Sequence, residues 1–161
     1  TNQEENANQI LFRSERSKVE LDSSSSSIIW TANSFLDDEE FRYSFISGLN
    51  HFKSKIQTIS NLAWINDTKK FKTPKVESMK WLSNEFNELA YAAGLRKIAF
   101  VLPEDVFGRL GIRLYAHISS IQFQDKFQIK AFNTLDNAKL WIKGEDLSNI
   151  EEIKLTINQK P

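Results

Sequence analysis

The segment from Asp67 to Lys75 contains the residues of this chain that are best suited to bind an anionic group. Four lysines lie within it, at positions 69, 70, 72 and 75. Two interpretations are open: a solvated loop that balances nearby acidic helix starts, or a loop that binds an acidic protein partner or an anionic headgroup. The candidate binding residues are Asp67, Thr68, Lys69, Lys70, Phe71 and Lys72, together with Pro103 at the end of a later strand.

The signals for catalysis or for a bound metal are weak in this sequence. The two histidines, His51 and His117, have no serine or carboxylate at a spacing that suggests a catalytic triad. The sequence contains no cysteine and none of the motifs that hold zinc or a nucleotide phosphate. The acidic run Asp37–Glu40 is more typical of a helix start, where carboxylates accept hydrogen bonds from free N–H groups, than of a cation site. We therefore expect a protein that is not an enzyme and that binds no cofactor.

The segment Gly94–Asp105 predicts how a buried strand connects two helices. Gly94 suits the left-handed conformation that ends a helix. Ile98–Leu102 is a continuous apolar run, which is typical of a strand covered on both faces of a sheet. Pro103 ends the strand, and the acidic residues after it favour the start of the next helix. This segment indicates a layered α/β domain with parallel strands, and ligands of such sheets bind beyond the carboxyl ends of the strands.

Apolar periodicity predicts the remaining elements, in the order β-β-β-α-β-α-β-α-β-α. The serine run Ser23–Ser27 is interpreted as a flexible loop between two strands. Trp81, Tyr91 and Tyr115 fall outside the inward stripes, and an exposed patch formed by them would favour a homodimer. The stripes predicted to face inward are Phe41, Phe45, Leu49, Phe52 and Ile56 in the first helix, Met79, Leu82, Phe86, Leu89 and Ala93 in the second, and Phe107, Leu110, Leu114, Ile118 and Ile121 in the third.

With these elements placed, the region from about residue 28 to residue 143 resembles small bacterial proteins of the STAS type (sulfate transporter and anti-sigma factor antagonist), also described as SpoIIAA-like. The resemblance rests on Trp64–Thr68, Met79–Leu82, Gly94–Asp105 and the segment from Phe132 to Ile142. It implies an α/β fold with a mixed, largely parallel sheet of four or five strands and with helices packed mainly on one face. The layout is also similar to that of CRAL-TRIO lipid-binding proteins.

The resemblance implies a regulatory module that binds a protein partner and performs no catalysis. Anti-sigma antagonists are phosphorylated on a Ser at a helix N-terminus, and Thr68 lies near the corresponding place, although the Gly of that turn is missing. Thr68 is therefore a candidate for phosphorylation. The similarity to CRAL-TRIO proteins implies an alternative function, a small carrier of an apolar or anionic, lipid-like ligand, with its pocket between the sheet and the Phe-rich first helix.

Length and charge set the remaining expectations. The chain has 161 residues, which fits one domain, and Lys plus Arg equals Asp plus Glu at 21 each. This balance argues against nucleic acid as the main partner, and no apolar run is long enough to span a bilayer. We expect a cytoplasmic protein with a disordered segment at 1–8, one domain over 9–145, and a tail or an added edge strand over 146–161.

Overall fold

The computed structural model describes residues 8–72, 74–123, 125–145 and 147–148. Within them, strands and helices follow one another in the predicted order. The strands are β1 Gln9–Arg13, β2 Ser17–Asp22, β3 Ser27–Ala32, β4 Ala63–Asp67, β5 Lys97–Val101 and β6 Gln128–Phe132. The helices are α1 Asp38–Lys55, α2 Val76–Trp81, α3 Asn87–Ala92, α4 Val106–Gln122 and α5 Leu135–Lys143, and a π-helical turn, Leu82–Phe86, joins α2 to α3. The predictions for 1–8 and 146–161 fall almost wholly outside the described residues.

The six strands form one sheet in which they lie in the same order as in the chain, from β1 to β6. The pairs β1–β2 and β2–β3 are antiparallel, and the three later pairs are parallel. The α/β class is confirmed, but the prediction of a largely parallel sheet of four or five strands is wrong. The connections on both sides of β2 are too short for a crossover, so they produce antiparallel pairs that extend the parallel part of the sheet.

The described helices cover the two faces of the sheet unequally. α1, the α2–α3 segment and α4 belong to the large core on one face, whereas α5 packs on the other face through Ala138 and Trp141. In β3 to β6, successive residues belong to the two cores in turn, as Ile28 and Ile29 of β3 do. None of the described helices is long and apolar enough to cross a membrane.

The first two helical stripes pack as predicted, with few exceptions. In α1, Asp37 caps the N-terminus by accepting a hydrogen bond from the Glu40 N–H at 2.8 Å. Between α3 and β5, Gly94 has φ +109°, which confirms the left-handed helix end expected there. Leu89 is the member of these stripes that lies exposed. The buried members are Phe41, Phe45, Leu49, Phe52, Met79, Leu82 and Phe86.

The buried face of α4 differs from the predicted one. Phe107, Leu110 and Ile121 are 76%, 51% and 69% exposed. Gly111 allows α4 to lie close to the loop before α2, because a Cβ atom there would lie 2.8 Å from Pro74 Cγ. Apolar periodicity therefore identified the larger side chains but not the face that packs. The buried residues of α4 are Gly108, Ile112, Tyr115, Ala116 and Ser119.

Tyr115 is buried because its hydroxyl finds a partner inside the protein. Tyr115 Oη donates to Asn87 Oδ1 at 2.8 Å, and Asn87 Nδ2 donates to Ser119 Oγ at 2.9 Å. Burial raises the pKa of Tyr115 well above its usual range, so the hydroxyl remains a donor. Trp81 is also buried, and Tyr91 is half-buried. The prediction that these three residues form an exposed aromatic patch, on which the homodimer hypothesis rested, is therefore wrong.

The serine run forms an ordered hairpin turn between β2 and β3, not a flexible loop. The Ser24 N–H and hydroxyl donate to Asp22 Oδ1 at 3.0 and 2.7 Å, and the Ser25 hydroxyl donates to Asp22 Oδ2 at 2.8 Å. Lys139 of α5 completes the cluster, with Nζ 3.0 Å from Asp22 Oδ2. The signal in the sequence is the Asp before the serines, because Asp side chains organise turns through their own following N–H groups.

We expect the Asp22 cluster to make stability depend on acid. Burial alone would raise the pKa of Asp22, but hydrogen bonds from Ser24, Lys139 and Ser25 outweigh it and lower the pKa to about 2. Because the folded pKa lies below the ordinary value, this stabilisation is present at neutral pH and is lost as pH falls from about 4 to about 2. It amounts to at most about 2 kcal/mol.

Urea denaturation of the wild type and Asp22→Asn checks this expectation. Asparagine keeps the turn but not the charge, so the difference in the free energy of unfolding should be largest at pH 7 and shrink towards pH 2. A difference that stays constant over this range would contradict the role assigned to the carboxylate.

Candidate binding site

The carboxyl ends of β3, β4 and β5 meet the start of β2 at one edge of the sheet. Lys18 pairs with Thr31, and Thr31 pairs with Asp67, so these three residues are neighbours on adjacent strands. Ile29 and Ile65 lie two residues earlier on β3 and β4 and belong to the core beneath α5. The three polar side chains therefore lie on the α5 face of the sheet, beyond the apolar core.

These residues form the floor of a cavity of about 430 Å³, here called the edge groove. Its walls come from the β1–β2 hairpin and from the loop after β4. Five cationic side chains and two acidic ones line it, so cations outnumber carboxylates in its lining although the whole chain is neutral. Three of these cations, Arg16, Lys18 and Lys69, form ion pairs with glutamates outside the lining. The lining residues are Arg13, Ser14, Glu15, Arg16, Ser17, Lys18, Thr31, Asn33, Asp67, Lys69 and Lys70.

A second cavity, of about 400 Å³, shares one wall with the edge groove and is here called the loop groove. Asn33, Lys69 and Lys70 line both cavities. The remaining wall of the loop groove is formed by Phe71, Lys72, Glu104 and Asp105, the last two from the turn before α4. The two grooves form one polar depression divided by the lysine pair.

The lysines of this depression differ in how firmly they are held. Lys69 Nζ donates to the Asn133 carbonyl oxygen at 3.2 Å and lies 3.8 Å from Glu104 Oε1. It therefore ties the loop after β4 to the ends of two neighbouring elements. Lys70 and Lys72 are exposed, and neither ammonium group forms an ion pair within the described residues. Their charges are available to a bound anion.

Asp67 is a half-buried carboxylate in the edge groove. Burial raises the pKa of Asp67, and the charge of Glu20 acts in the same direction. The Lys69 N–H, which donates to Asp67 Oδ1 at 3.3 Å, and the charges of Lys69 and Lys18 lower it and reduce the rise. Protonation removes a negative charge, so the edge groove becomes more positive as the pH falls.

Three of the predicted site residues are structural in this arrangement. The Thr68 hydroxyl is buried and donates to the Val101 carbonyl oxygen at 2.6 Å. Phe71 packs into the core with its ring centroid 5.4 Å from that of Trp30. Pro103 is buried against Gly108, where an added Cβ atom would lie 2.7 Å from Pro103 Cβ. Phosphorylation of Thr68 stays a prediction, and it would require the hydroxyl to leave the Val101 oxygen.

The residues predicted from the sequence to form the site do not include those of the β1–β2 hairpin. Arg13, Arg16 and Lys18 come from a segment about fifty residues before the basic loop, and only the sheet pairing brings the two together. The available signal was the spacing of three cations over the run 13–18. Arg16 forms an ion pair with Glu40 of α1, which fixes that side of the groove.

The ligand pocket expected between the sheet and α1 is occupied by side chains. Trp30, Phe41 and Phe45 fill this region, and the cavity they line has a volume of about 10 Å³. A space of this size holds about one water molecule. In the described part of the chain, no group of three or more His, Cys, Asp or Glu residues is placed to hold a metal ion.

Comparison with known proteins gives no identification: no family model, no curated protein and no solved structure matches this chain.

Proposed function

We propose that the protein is a regulatory protein-interaction module of STAS-like type, without catalytic activity, that binds an acidic segment of a protein partner. The observation that carries the proposal is the edge groove, in which five cationic side chains face two acidic ones in a chain of zero net charge. A concave surface with an excess of one sign of charge attracts ligands of the opposite sign and increases their rate of association. The regulatory, STAS-like part of the proposal rests on the resemblance of residues 28–143 to STAS proteins.

Lys69 is expected to contribute to binding in a different way from Lys70 and Lys72. Lys69 is held by Asn133 and Glu104, so it shapes the wall between the grooves. Lys70 and Lys72 are free to reach a carboxylate. Exposed charges of this kind act mainly on the association rate and are screened by salt. Binding is therefore expected to weaken as the ionic strength rises.

A small carrier of an anionic ligand is the second candidate. The volume of the edge groove, about 430 Å³, lies within the range of small-molecule sites. The same groove supports this function for a polar anion, whereas the filled region beneath α1 offers little volume to an apolar chain. Native mass spectrometry separates the candidates, because a carrier would show extra mass that disappears on denaturation.

Charge reversal in the loop tests the proposed function. The double variant Lys70→Glu/Lys72→Glu changes exposed side chains that make no ion pair within the described residues, so folding should be preserved. We expect it to weaken binding of a fluorescent Glu-rich peptide by about tenfold or more, measured by anisotropy at low salt. The matched control is Lys53→Glu/Lys143→Glu, with the same charge change in the last turns of α1 and α5.

Equal binding of the peptide by the two double variants would show that the depression formed by the edge groove and the loop groove is not the binding site. That result would overturn the proposal. A wild-type protein that fails to bind the peptide would also overturn it. A bound small anion found by native mass spectrometry would replace the interaction module with the carrier. Binding lost in the groove variant and retained in the control would support the interaction module.

A further inference from the structure

α4 carries an apolar stripe on its solvent-facing side, next to the exposed polar residues His117 and Ser120. Val106, Phe107, Leu110 and Ile121 of this helix are half of the eight exposed large hydrophobic residues found in the described part of the chain. Leu114 lies between them and is half-buried. From Phe107 to Ile121 the stripe is about 21 Å long at 1.5 Å per residue. A surface helix normally turns its polar side outward, so a contiguous apolar stripe indicates an interaction surface.

The charged residues within α4 are both cationic, whereas the acidic Glu104 and Asp105 precede the helix. Arg109 and Arg113 lie one turn apart on one flank, and the helix contains no acidic residue. Arg113 is exposed and forms no ion pair within the described residues. The Arg109 Nε–H donates to the Pro103 carbonyl oxygen at 2.8 Å, which holds that side chain against the start of the helix.

We propose that the outer face of α4 is a docking site for an amphipathic helix of a protein partner, whose apolar side covers the stripe and whose acidic flank meets Arg109 and Arg113. A helix laid along α4 matches the length and width of the stripe, and residues at i, i+3, i+4 and i+7 would supply its apolar side. The acidic flank follows from charge complementarity. The site goes beyond the proposed function, because no residue that lines either groove belongs to it.

A second copy of the chain fits this face poorly. In a two-fold antiparallel pair the same surface of each copy meets the other, so the Arg109–Arg113 flanks would face each other. Self-association through this face therefore brings like charges together.

A membrane surface also fits this face less well than a helix does. A bilayer contacts the helices beside α4 as well, and the neighbouring α2–α3 segment exposes Glu85 and Glu88. These carboxylates would be repelled by anionic lipids. Tyr115 and Ser119 face the α2–α3 segment, and Arg113 lies about 120–160° around α4 from them. An acidic helix can therefore contact Arg113 without meeting the glutamates.

The test uses the full chain and two synthetic 21-residue helical peptides. Both carry Leu at the i, i+3, i+4 and i+7 positions; one has Glu along the flanks and the other has Lys. We expect the Glu peptide to bind at least about tenfold more tightly than the Lys peptide, by fluorescence anisotropy. Leu110→Gln/Ile121→Gln should weaken the Glu peptide by about tenfold, and Arg113→Glu should shift the preference towards the Lys peptide.

Two controls separate this site from the grooves and from general surface effects. Tyr43→Gln removes a side chain that is 65% exposed on α1, close to the 69% of Ile121, and should leave binding unchanged. Lys70→Glu/Lys72→Glu should leave the effect of the α4 variants intact. The substituted side chains are exposed, and unchanged thermal melting by circular dichroism would show that each variant folds.

Three results would overturn the proposal. The first is equal peptide binding by the wild type and Leu110→Gln/Ile121→Gln. The second is binding to vesicles of phosphatidylserine and phosphatidylcholine that depends on Leu110 and Ile121, without peptide binding. The third is a dimer, measured by sedimentation equilibrium, that the same double variant dissociates. A charge preference that reverses in Arg113→Glu would support the proposal, because a structural role of Arg113 would not reverse it.

Discussion

Replacement of Trp30 by Ala is expected to lower the free energy of unfolding by about 3–5 kcal/mol. Trp30 is fully buried at the centre of the large core, where its ring stacks on Phe45 with centroids 4.6 Å apart. Phe71 and Phe41 also contact it, with centroid distances of 5.4 and 5.7 Å. Because these rings come from the loop after β4 and from α1, they cannot collapse into the space without moving both elements. Urea denaturation measures the loss.

Two further substitutions give a scale for this loss. Trp30 Nε1 donates to Ser44 Oγ at 2.8 Å, and the Ser44 hydroxyl in turn donates to the Phe41 carbonyl oxygen. Trp30→Phe keeps a six-membered ring, removes the donor and leaves a smaller cavity than Ala does, so a smaller loss of roughly 1–2 kcal/mol is expected. Tyr43→Ala removes an exposed ring of α1 whose centroid lies 5.6 Å from that of Phe12, so it should cost no more than about 1.5 kcal/mol. A loss in Trp30→Ala no greater than in Tyr43→Ala would contradict the packing described here.

Gly48→Ala is expected to destabilise the protein by about 1–3 kcal/mol, although Ala favours a helix by about 1 kcal/mol over Gly. Gly48 lies within α1 where the helix crosses the sheet, and a Cβ atom there would lie 2.7 Å from Trp64 Cη2 and 3.3 Å from Val19. The indole cannot easily move, because Trp64 Nε1 donates to Asn66 Oδ1 at 2.7 Å and the ring stacks against Phe45. The steric cost therefore exceeds the gain in helix propensity.

A double-mutant cycle with Trp64→Phe provides the control for this prediction. Phenylalanine lacks the outer ring atoms that the new methyl group would meet, so Gly48→Ala should cost less in that background. The coupling energy is expected to be about 1 kcal/mol. Additive losses, or a wild-type background in which Gly48→Ala stabilises the protein, would show that the contact between α1 and Trp64 is looser than the structure indicates.

Much of the fold could be predicted because the apolar patterns of several single elements are clear in the sequence. The apolar run at Ile98–Leu102 and the stripe of α1 identify their elements without knowledge of the neighbours. α4 shows where this reasoning fails. Its large apolar residues follow the helical period, but the buried face is set by the fit of Gly111 against Pro74 and by the hydrogen bond between Tyr115 and Asn87. Both depend on residues distant in the sequence, which periodicity does not include.

The candidate site could be predicted only in part, for a related reason. The basic loop follows a recognisable strand end, so Lys69, Lys70 and Lys72 could be placed at the carboxyl edge of the sheet. Arg13 and Arg16 reach the same edge through an antiparallel hairpin, whose pairing with β3 the sequence does not state. Thr68 looked accessible beside the lysines, yet its hydroxyl is used inside the fold.

The order of the strands has a consequence for how the protein is made. Among the strands that the structure describes, each neighbours the one that precedes it in the chain, from β1 to β6. Because the amino-terminal part of a chain leaves the ribosome first, every new strand can join the free edge of a sheet that already exists. No strand has to be inserted between two that have already paired. Assembly can therefore follow synthesis step by step, with α5 closing the second face last.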